Sequence, residues 1–416
     1  MWQSVAVGGK ARDDWRMTQS QPSRIVIIGA SLAGGGAAIA LRDQGYQGEL
    51  TLIGEESQLP YERPPLSKAL LLGEADEPDW VADEATYADK GITLRLGTMA
   101  TRIDRNRKVV VASRTEYAYD KLLIATGSAP RRLDVHGSEL EGLLTLRTVE
   151  ESLALRERFT EGARIVIVGA GWIGCEAAAA ARKHGAEVTM IEPRSEPLLQ
   201  VAGEQIGATF AALHRDHGVD LRLGVAVKGF AGDGVASSVQ IKGGHSIPAD
   251  TVLIGVGAAP NIALADAAGL QLADGGIAVD PTLRSSDPDI YAAGDVAAHD
   301  HPKYRHRVRV EHWANAKDQG LHVAGNLLGA EAPYQLRPFF FSDQYDLGCE
   351  YRGFADPAKD RLVVRGDLAA REFTAFWLRD GAVAAAMNVN QWDDGDALQE
   401  LVDTGRHVSD KELVSS

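Results

Sequence analysis

The stretch Arg164 to Glu192, RIVIVGAGWIGCEAAAAARKHGAEVTMIE, narrows the possible folds more than any other part of this chain. An apolar run, Ile165 to Val168, ends in Gly169-Ala170-Gly171-Trp172-Ile173-Gly174. An alanine-rich stretch of high helix propensity follows, and a second apolar run, Val188 to Ile191, closes on Glu192. The pattern predicts strand, tight turn, helix and strand. Gly169 permits the turn, Gly171 lets backbone approach a diphosphate that a side chain would exclude, and Gly174 lets helix and strand pack closely. A diphosphate then sits at the helix N-terminus, where unpaired N–H groups and the helix dipole favour an anion. Glu192 lies eighteen residues past Gly174, at the end of the second strand, where a carboxylate accepts hydrogen bonds from an adenosine ribose. With strand, helix and acid all in register, the unit reads as a dinucleotide site rather than a glycine-rich turn.

The same unit occurs earlier. Ile25 to Ile28 leads into Gly29-Ala30-Ser31-Leu32-Ala33-Gly34, then a helical stretch, then Leu50 to Ile53 followed by Gly54-Glu55-Glu56. Ser31 replaces the second glycine; its small side chain still admits a diphosphate and can donate a hydrogen bond to it. Gly35 and Gly36 each weaken a helix by roughly 1 kcal/mol, which points either to close approach by a ligand or strand or to tolerated surface glycine. Two such units imply two dinucleotides, or one cofactor and one substrate nucleotide.

A chain of 416 residues suits two or three domains. Its net charge of −15 argues against general nucleic-acid binding and against attraction to anionic membranes. Cys175 and Cys349 stand far apart, so neither a disulfide framework nor a zinc site is supported, and a reducing, cytoplasmic compartment fits. No long apolar run capable of spanning a bilayer is present. Residues 1–22 read as a polar, disordered extension without the apolar core of a secretory signal, and Met17 is a candidate natural start.

After Glu56 comes Leu59-Pro60-Tyr61-Glu62-Arg63-Pro64-Pro65-Leu66-Ser67-Lys68, a loop stiffened by its prolines. This stretch resembles the corresponding loop of FAD-dependent ferredoxin reductases of the putidaredoxin reductase and rubredoxin reductase type, a group related to apoptosis-inducing factor. The resemblance runs along almost the whole chain after residue 23, through Ala125-Thr126-Gly127-Ser128-Ala129-Pro130, Gly257-Ala258-Ala259-Pro260-Asn261 and Ile290-Tyr291-Ala292-Ala293-Gly294-Asp295. It implies an α/β protein with two Rossmann-like units and a small α+β C-terminal domain. An FAD domain is expected from residues 23–128 and 255–330, interrupted by an NAD(H) domain at 129–254 and followed by the last domain at 331–416. Within the last part, Phe373 to Leu378 and Val383 to Val389 flank Asp380-Gly381, a hairpin signal, and Ala397 to Val402 suggests a helix.

The resemblance also assigns residues. Arg63 and Lys68 contact FAD, as do the turn Gly29 to Gly34 with Leu32 and Ala33, the acids Glu55 and Glu56, and Ala125, Thr126 and Gly127. Asp295 meets the ribityl chain, and Glu311-His312-Trp313 faces the flavin, with Trp313 close to the isoalloxazine. Phe341, in Pro338-Phe339-Phe340-Phe341-Ser342-Asp343-Gln344, stands where the family often has Trp. Gly169, Gly171, Ile173, Gly174, Glu192 and Gly257 hold the nicotinamide dinucleotide. Lys68 and Glu176 pair near the flavin N5, Glu176 being otherwise an ordinary acid near a helix start. Trp172 either stacks or gates at the nicotinamide site or packs between domains. His312 reads as a structural histidine rather than a proton donor. The segment Leu66 to Leu72, expected as a helix, carries none of the redox cysteines used by disulfide reductases, NADH peroxidases and coenzyme A disulfide reductases, so electrons must leave FAD directly.

Three functions compete. The first is an NADH-dependent ferredoxin reductase passing single electrons to an acidic [2Fe-2S] ferredoxin that serves a cytochrome P450 or another oxygenase. The second is a flavin oxidase or reductase of oxygen, quinone or another small acceptor, and the third is a flavin-dependent scaffold or nucleic-acid-binding protein with a non-catalytic role like that of apoptosis-inducing factor. NADH is expected over NADPH because Glu192 repels a 2′-phosphate, with Arg194 as the opposing influence. Lys303, Arg305, Arg307 and Arg309 alternate in PKYRHRVRVEHW; on one strand they would share a face, a docking stripe for an acidic partner or a charged guard on an edge strand.

Overall fold

The computed structural model describes residues 21–415, so the extension before residue 21 and the candidate start at Met17 lie outside the described residues. Both glycine-turn units form as expected. Strand Arg24–Ile28 runs into helix Leu32–Asp43 and returns as strand Glu49–Ile53. Strand Arg164–Val168 runs into helix Trp172–Lys183 and returns as strand Glu187–Glu192. Each unit heads a five-stranded parallel sheet. The first has the order Ile290–Ala292, Lys121–Ile124, Arg24–Ile28, Glu49–Ile53, Thr93–Arg95. The second has the order Asp220–Leu223, Glu187–Glu192, Arg164–Val168, Thr251–Ile254, Leu143–Leu144.

Both central strands are apolar at consecutive positions because both faces are covered. Ile25, Val26, Ile27 and Ile28 are all buried, and so are Ile165 to Val168. Burying such a side chain contributes about 1.5–3 kcal/mol, so these two runs anchor their sheets. The turns that follow match in detail. Gly29 and Gly169 adopt φ of +111° and +104°. A Cβ on Gly29 would lie 2.1 Å from the Ala125 carbonyl oxygen, and one on Gly169 would lie 2.3 Å from that of Gly255. Gly35 is a close approach, but to Pro60, 2.6 Å from its would-be Cβ; nothing stands against Gly36.

The chain leaves the first sheet through Ser128–Pro130 and comes back through Ala258–Pro260, and these two segments pair antiparallel. Thr126 Oγ1 donates to the Asn261 carbonyl at 2.9 Å, and Asn261 Nδ2 donates to the Thr126 carbonyl at 2.8 Å, locking exit to return. The last part is an antiparallel five-stranded sheet, from Phe339–Gln344 through Leu347–Gly353, Ala382–Val389 and Glu372–Arg379 to Arg361–Asp367. Asp380 and Gly381, with φ of +51° and +81°, make the expected hairpin turn, and helix Gly395–Thr404 the expected late helix.

Two sequence expectations fail. Leu66 to Leu72 is not an α-helix: Pro64–Ser67 form one 3₁₀ turn and irregular turns continue to residue 72. The break comes at Lys68, whose φ of −121° and ψ of −112° lie outside the helical region, so the turn begun at Pro64 does not propagate into an α-helix. The alternating cations do not lie on one strand either. Only His306–Val308 is strand, and residues 302–305 form a turn with Arg305 at φ +57°, which breaks the period of two. Arg307 folds inward to the carbonyls of Ala298 at 2.6 Å and Val279 at 2.9 Å. Arg309 reaches the Asp295 carbonyl at 3.2 Å and pairs with Glu311, while Lys303 lies 3.5 Å from Asp403. Unsatisfied buried carbonyls attract a guanidinium more strongly than open water does, so the stripe of Lys303, Arg305, Arg307 and Arg309 is not formed.

No helix among the described residues is long and apolar enough to cross a membrane.

Candidate active site

Each glycine turn leads directly into a helix N-terminus. Neither helix has a side-chain cap hydrogen bond or an acidic residue in its first turn, so backbone N–H groups there remain to be satisfied. A Cβ on Gly171 would meet nothing within 4 Å, so packing within the protein does not require glycine there. The opening suits a diphosphate. A Cβ on Gly174, by contrast, would lie 2.1 Å from the Gly169 carbonyl oxygen. The two glycines therefore separate by experiment. Gly171→Val should leave the melting temperature within about 3 °C of wild type yet weaken NADH binding more than about tenfold, whereas Gly174→Ala should cost about 1–3 kcal/mol of stability. Thermal melts and NADH titrations check the pair; equal losses of stability in both would remove the ligand from the argument.

Glu192, only 5% exposed, does two jobs. Its Oε2 accepts the Ala170 N–H at 2.9 Å, bracing the glycine turn, and its Oε1 accepts from Arg194 N at 3.1 Å and Nη1 at 3.2 Å. Gly257 adopts φ +97° just after the strand Thr251–Ile254, beside the same turn.

In the first unit, Asp295 is buried and accepts from Ser128 Oγ at 2.6 Å and Arg147 Nη2 at 3.1 Å. Arg63 pairs with Glu56 at 2.7 Å and donates to the Arg147 carbonyl, while Glu55 faces solvent. The Nε atoms of Arg63 and Arg147 are buried without a partner. Two guanidiniums with orphaned donors beside an uncapped helix start fit an anionic dinucleotide such as FAD.

Where the units face each other, Lys68 Nζ donates to Glu176 Oε1 at 2.7 Å. Lys68 comes from the proline-rich loop and Glu176 from the second unit's helix, so the pair bridges the two units. Glu176 is 4% exposed and also accepts from Ser67 Oγ and, at 2.6 Å, from Ser342 Oγ. Lys68 Nζ lies 5.1 Å from the centre of the Phe341 ring. Trp313 meets Phe341 edge-on at 6.0 Å and spends its indole N–H on Glu62 at 2.9 Å. Residues 62–68, 176, 313 and 341–342 thus gather in one place.

Trp172 is held by Phe210 at 5.6 Å and Phe340 at 4.9 Å, so it packs between the second unit and the C-terminal sheet. His312 lies against Phe340 at 4.6 Å, and burial pushes it down to about 4, which leaves it neutral and structural. Glu311 is tied to Arg309. Both thiols are buried, and burial pushes both up, which makes them inert.

Sequence reasoning missed Ser67, Ser342, Arg147 and Gln319, the last of which accepts the Gly294 N–H at 2.9 Å. For Ser342 a signal existed. Alternation along Phe339–Gln344 places Phe340, Ser342 and Gln344 on the buried side, and a buried hydroxyl needs a partner.

Several histidines, His214, His299 and His312 among them, are held neutral by desolvation and make the fold sensitive to acid. Burial pushes His214 and His312 to about 4 and His299 to about 3, against about 6.5 when unfolded. The unfolded chain therefore binds protons first: the stabilisation is whole above pH 6.5 and is lost as pH falls toward the folded values. Each histidine should remove about 1.4 kcal/mol by pH 5.5. Melting curves from pH 8 to pH 5 should fall steeply below pH 6.5, and less steeply in His299→Phe; an unchanged slope in that variant contradicts the assignment.

Two glycine-turn units bridged by a lysine–glutamate pair, with Ser342 of the C-terminal sheet bound to the same carboxylate, define a two-nucleotide flavoprotein reductase. A family model described as pyridine nucleotide-disulphide oxidoreductase matches residues 23–320, and one described as reductase C-terminal matches residues 339–416. Rhodocoxin reductase of Rhodococcus erythropolis is 39% identical over 91% of this chain and 89% of its own. Putidaredoxin reductase of Pseudomonas putida is 36% identical over 88% of both chains. The crystal structure of the covalent putidaredoxin reductase–putidaredoxin complex matches with a TM-score of 0.90 at 34% identity, covering 94% of this chain and 95% of that one. The chain belongs to the pyridine nucleotide-disulphide oxidoreductase family, among the ferredoxin reductases of the putidaredoxin reductase and rhodocoxin reductase type.

Proposed function

We propose that this chain is a cytoplasmic, FAD-dependent NADH:ferredoxin oxidoreductase that feeds single electrons to a small, acidic [2Fe-2S] ferredoxin serving a cytochrome P450 or Rieske oxygenase. The observation that carries this reading is the Lys68–Glu176 pair that bridges the two glycine-turn units, with both cysteines buried and inert elsewhere. The near full-length likeness to rhodocoxin reductase and putidaredoxin reductase supports the partner class. Residues 23–128 and 255–330 make up the FAD domain, 129–254 the NAD(H) domain and 331–416 the C-terminal domain, a division that sheet membership supports.

Bound FAD would supply the chemistry that links two-electron hydride acceptance from NADH to one-electron delivery. The chain's own residues bind, orient and enclose. The Gly29–Gly34 turn with Ser31, Leu32 and Ala33, together with Glu55, Glu56, Arg63, Ala125 to Gly127 and Asp295, holds FAD. Gly169, Gly171, Ile173, Gly174, Glu192 and Gly257 hold NADH. Lys68 supplies a cation beside the reacting rings and Glu176 fixes its position. Trp313 and Phe341 shield the cleft from water.

Turnover of the FAD-loaded protein with a [2Fe-2S] ferredoxin, a quinone and oxygen tests the reading. The ferredoxin rate should exceed the other two at least about tenfold. Cys175→Ser with Cys349→Ser should retain it. A faster quinone or oxygen rate would reassign the chain to small acceptors, and loss of flavin reduction in the folded double variant would bring a thiol into the route.

A further inference from the structure

Glu176 does not stand at the end of its contacts. Ser342 has one proton and gives it to Glu176 Oε1, so its lone pairs are open, and Gln344 Nε2 donates to Ser342 Oγ at 3.1 Å. The other end of that amide, Gln344 Oε1, lies 3.1 Å from His214 Nε2, and Tyr345 Oη lies 3.3 Å from His214 Nδ1. Ser342 and Gln344 are 1% exposed and His214 is fully buried, so the row is dry. It crosses from the C-terminal sheet to helix Leu199–Asp216 of the second unit amid Phe210, Phe340 and Leu213.

Only one polarity satisfies this row. A carboxylate accepts and cannot donate, which fixes the Ser342 proton toward Glu176 at 2.6 Å; the reverse would set lone pair against lone pair. The Gln344 amide nitrogen must then face Ser342, its oxygen must face a donor, and that donor is His214 Nε2–H. His214 is neutral in its apolar surroundings, so Nδ1 carries the lone pair and accepts from Tyr345. All four hydrogen bonds point toward the carboxylate, and aligned bonds in a dry interior polarise and stiffen one another.

The geometry points to His214 and Gln344 as positioning residues for the Lys68–Glu176 pair: acting through Ser342, they hold the Glu176 carboxylate where it aims Lys68 at the flavin. This rests on the role given to that pair above. It goes further in placing two residues of that role outside the cleft, with His214 in a defined tautomer. It also gives the C-terminal domain a part in the hydride step, since Ser342, Gln344 and Tyr345 all belong to strand Phe339–Gln344 or its turn.

The test has two arms. In the full-length, ¹⁵N-histidine-labelled protein at pH 7, His214, assigned by the loss of its signals in His214→Gln, should appear as the neutral Nε2–H tautomer with or without FAD. An Nδ1–H tautomer, or exchange between the two, overturns the chain's direction and the inference with it. In rapid mixing with saturating NADH, Gln344→Met and His214→Leu should lower the limiting rate of flavin reduction about five- to tenfold, with half-saturation by NADH and FAD content unchanged. His214→Gln places an amide N–H where Nε2–H stood and should recover the rate to within about twofold of wild type. Melting curves identify any variant that does not fold, and Gln344→Met, of nearly equal volume, keeps the kinetic arm decisive if His214→Leu fails. Wild-type rates in both with a slow Glu176→Ala overturn this inference alone. A wild-type rate in Glu176→Ala overturns the pair's role as well.

Discussion

Glu176→Ala should slow reduction of the bound flavin by NADH about a hundredfold while NADH still binds. The carboxylate accepts from Lys68, Ser67 and Ser342 at once, and it is 4% exposed. Removing it leaves two buried hydroxyls without this acceptor and an ammonium left to the Phe341 ring, the nearby Asp343 charge and the solvent it can reach. Breaking a buried ion pair by deleting one partner costs about 3–5 kcal/mol when the survivor is wholly enclosed. Lys68 keeps 16% of its side chain exposed and can turn to water, so the stability loss should sit at or below the lower end of that range. The rate is more sensitive than the fold, because a displacement of about an ångström is enough to misalign hydride donor and acceptor. Lys68→Ala should give a loss of similar size in the limiting rate, and looser FAD as well, since its loop also carries Arg63. Rapid-mixing absorbance of the flavin at saturating NADH decides; unchanged rates and FAD retention in both variants would take the pair out of the site.

Glu192→Gln should bring the preference for NADH over NADPH down by about ten- to a hundredfold. Glutamine keeps an oxygen for the Ala170 N–H, so the turn stays braced and only the charge goes. In the wild-type protein a 2′-phosphate would meet a carboxylate that is itself buried, and Arg194, the cation able to offset it, is already bound to that carboxylate at 3.2 Å. Neutralising position 192 removes the repulsion and releases Arg194 together. Arg194→Ala added to Glu192→Gln should then take back most of the gain with NADPH. Ratios of kcat/KM for the two nucleotides provide the measurement, and an unaltered ratio in Glu192→Gln would place the ribose elsewhere.

Local chemistry wrote the two nucleotide units into the sequence. Gly29 and Gly169 stand at positive φ against a neighbouring carbonyl, where no side chain fits, and the apolar runs beside them are continuous because both faces of a parallel sheet are covered. Asp380-Gly381 announced its hairpin for the same kind of reason, a turn geometry that few residues adopt. Such constraints act within a few residues. Lys68 and Glu176 were legible as members of a site through resemblance to a family, and the hydrogen-bonded pair joins residues 108 apart.

What the sequence could not settle depended on choices among distant partners. The alternation of Lys303, Arg305, Arg307 and Arg309 has the period of a strand, yet a turn at Arg305 and the buried carbonyls of Val279 and Ala298 divide those cations among separate surroundings. Ser67 and His214 bear no local mark of function, and for Ser342 and Gln344 strand alternation marks only burial; the role comes when three domains close on one carboxylate. Sequence alone therefore determined the two glycine-turn units, since backbone periodicity and glycine stereochemistry are local, while the order of the domains was legible only through resemblance to a family. Only the tertiary structure decided which charges are spent inward and which hydroxyls hold Glu176, because satisfying a buried polar group is a property of the packed interior and not of neighbours along the chain.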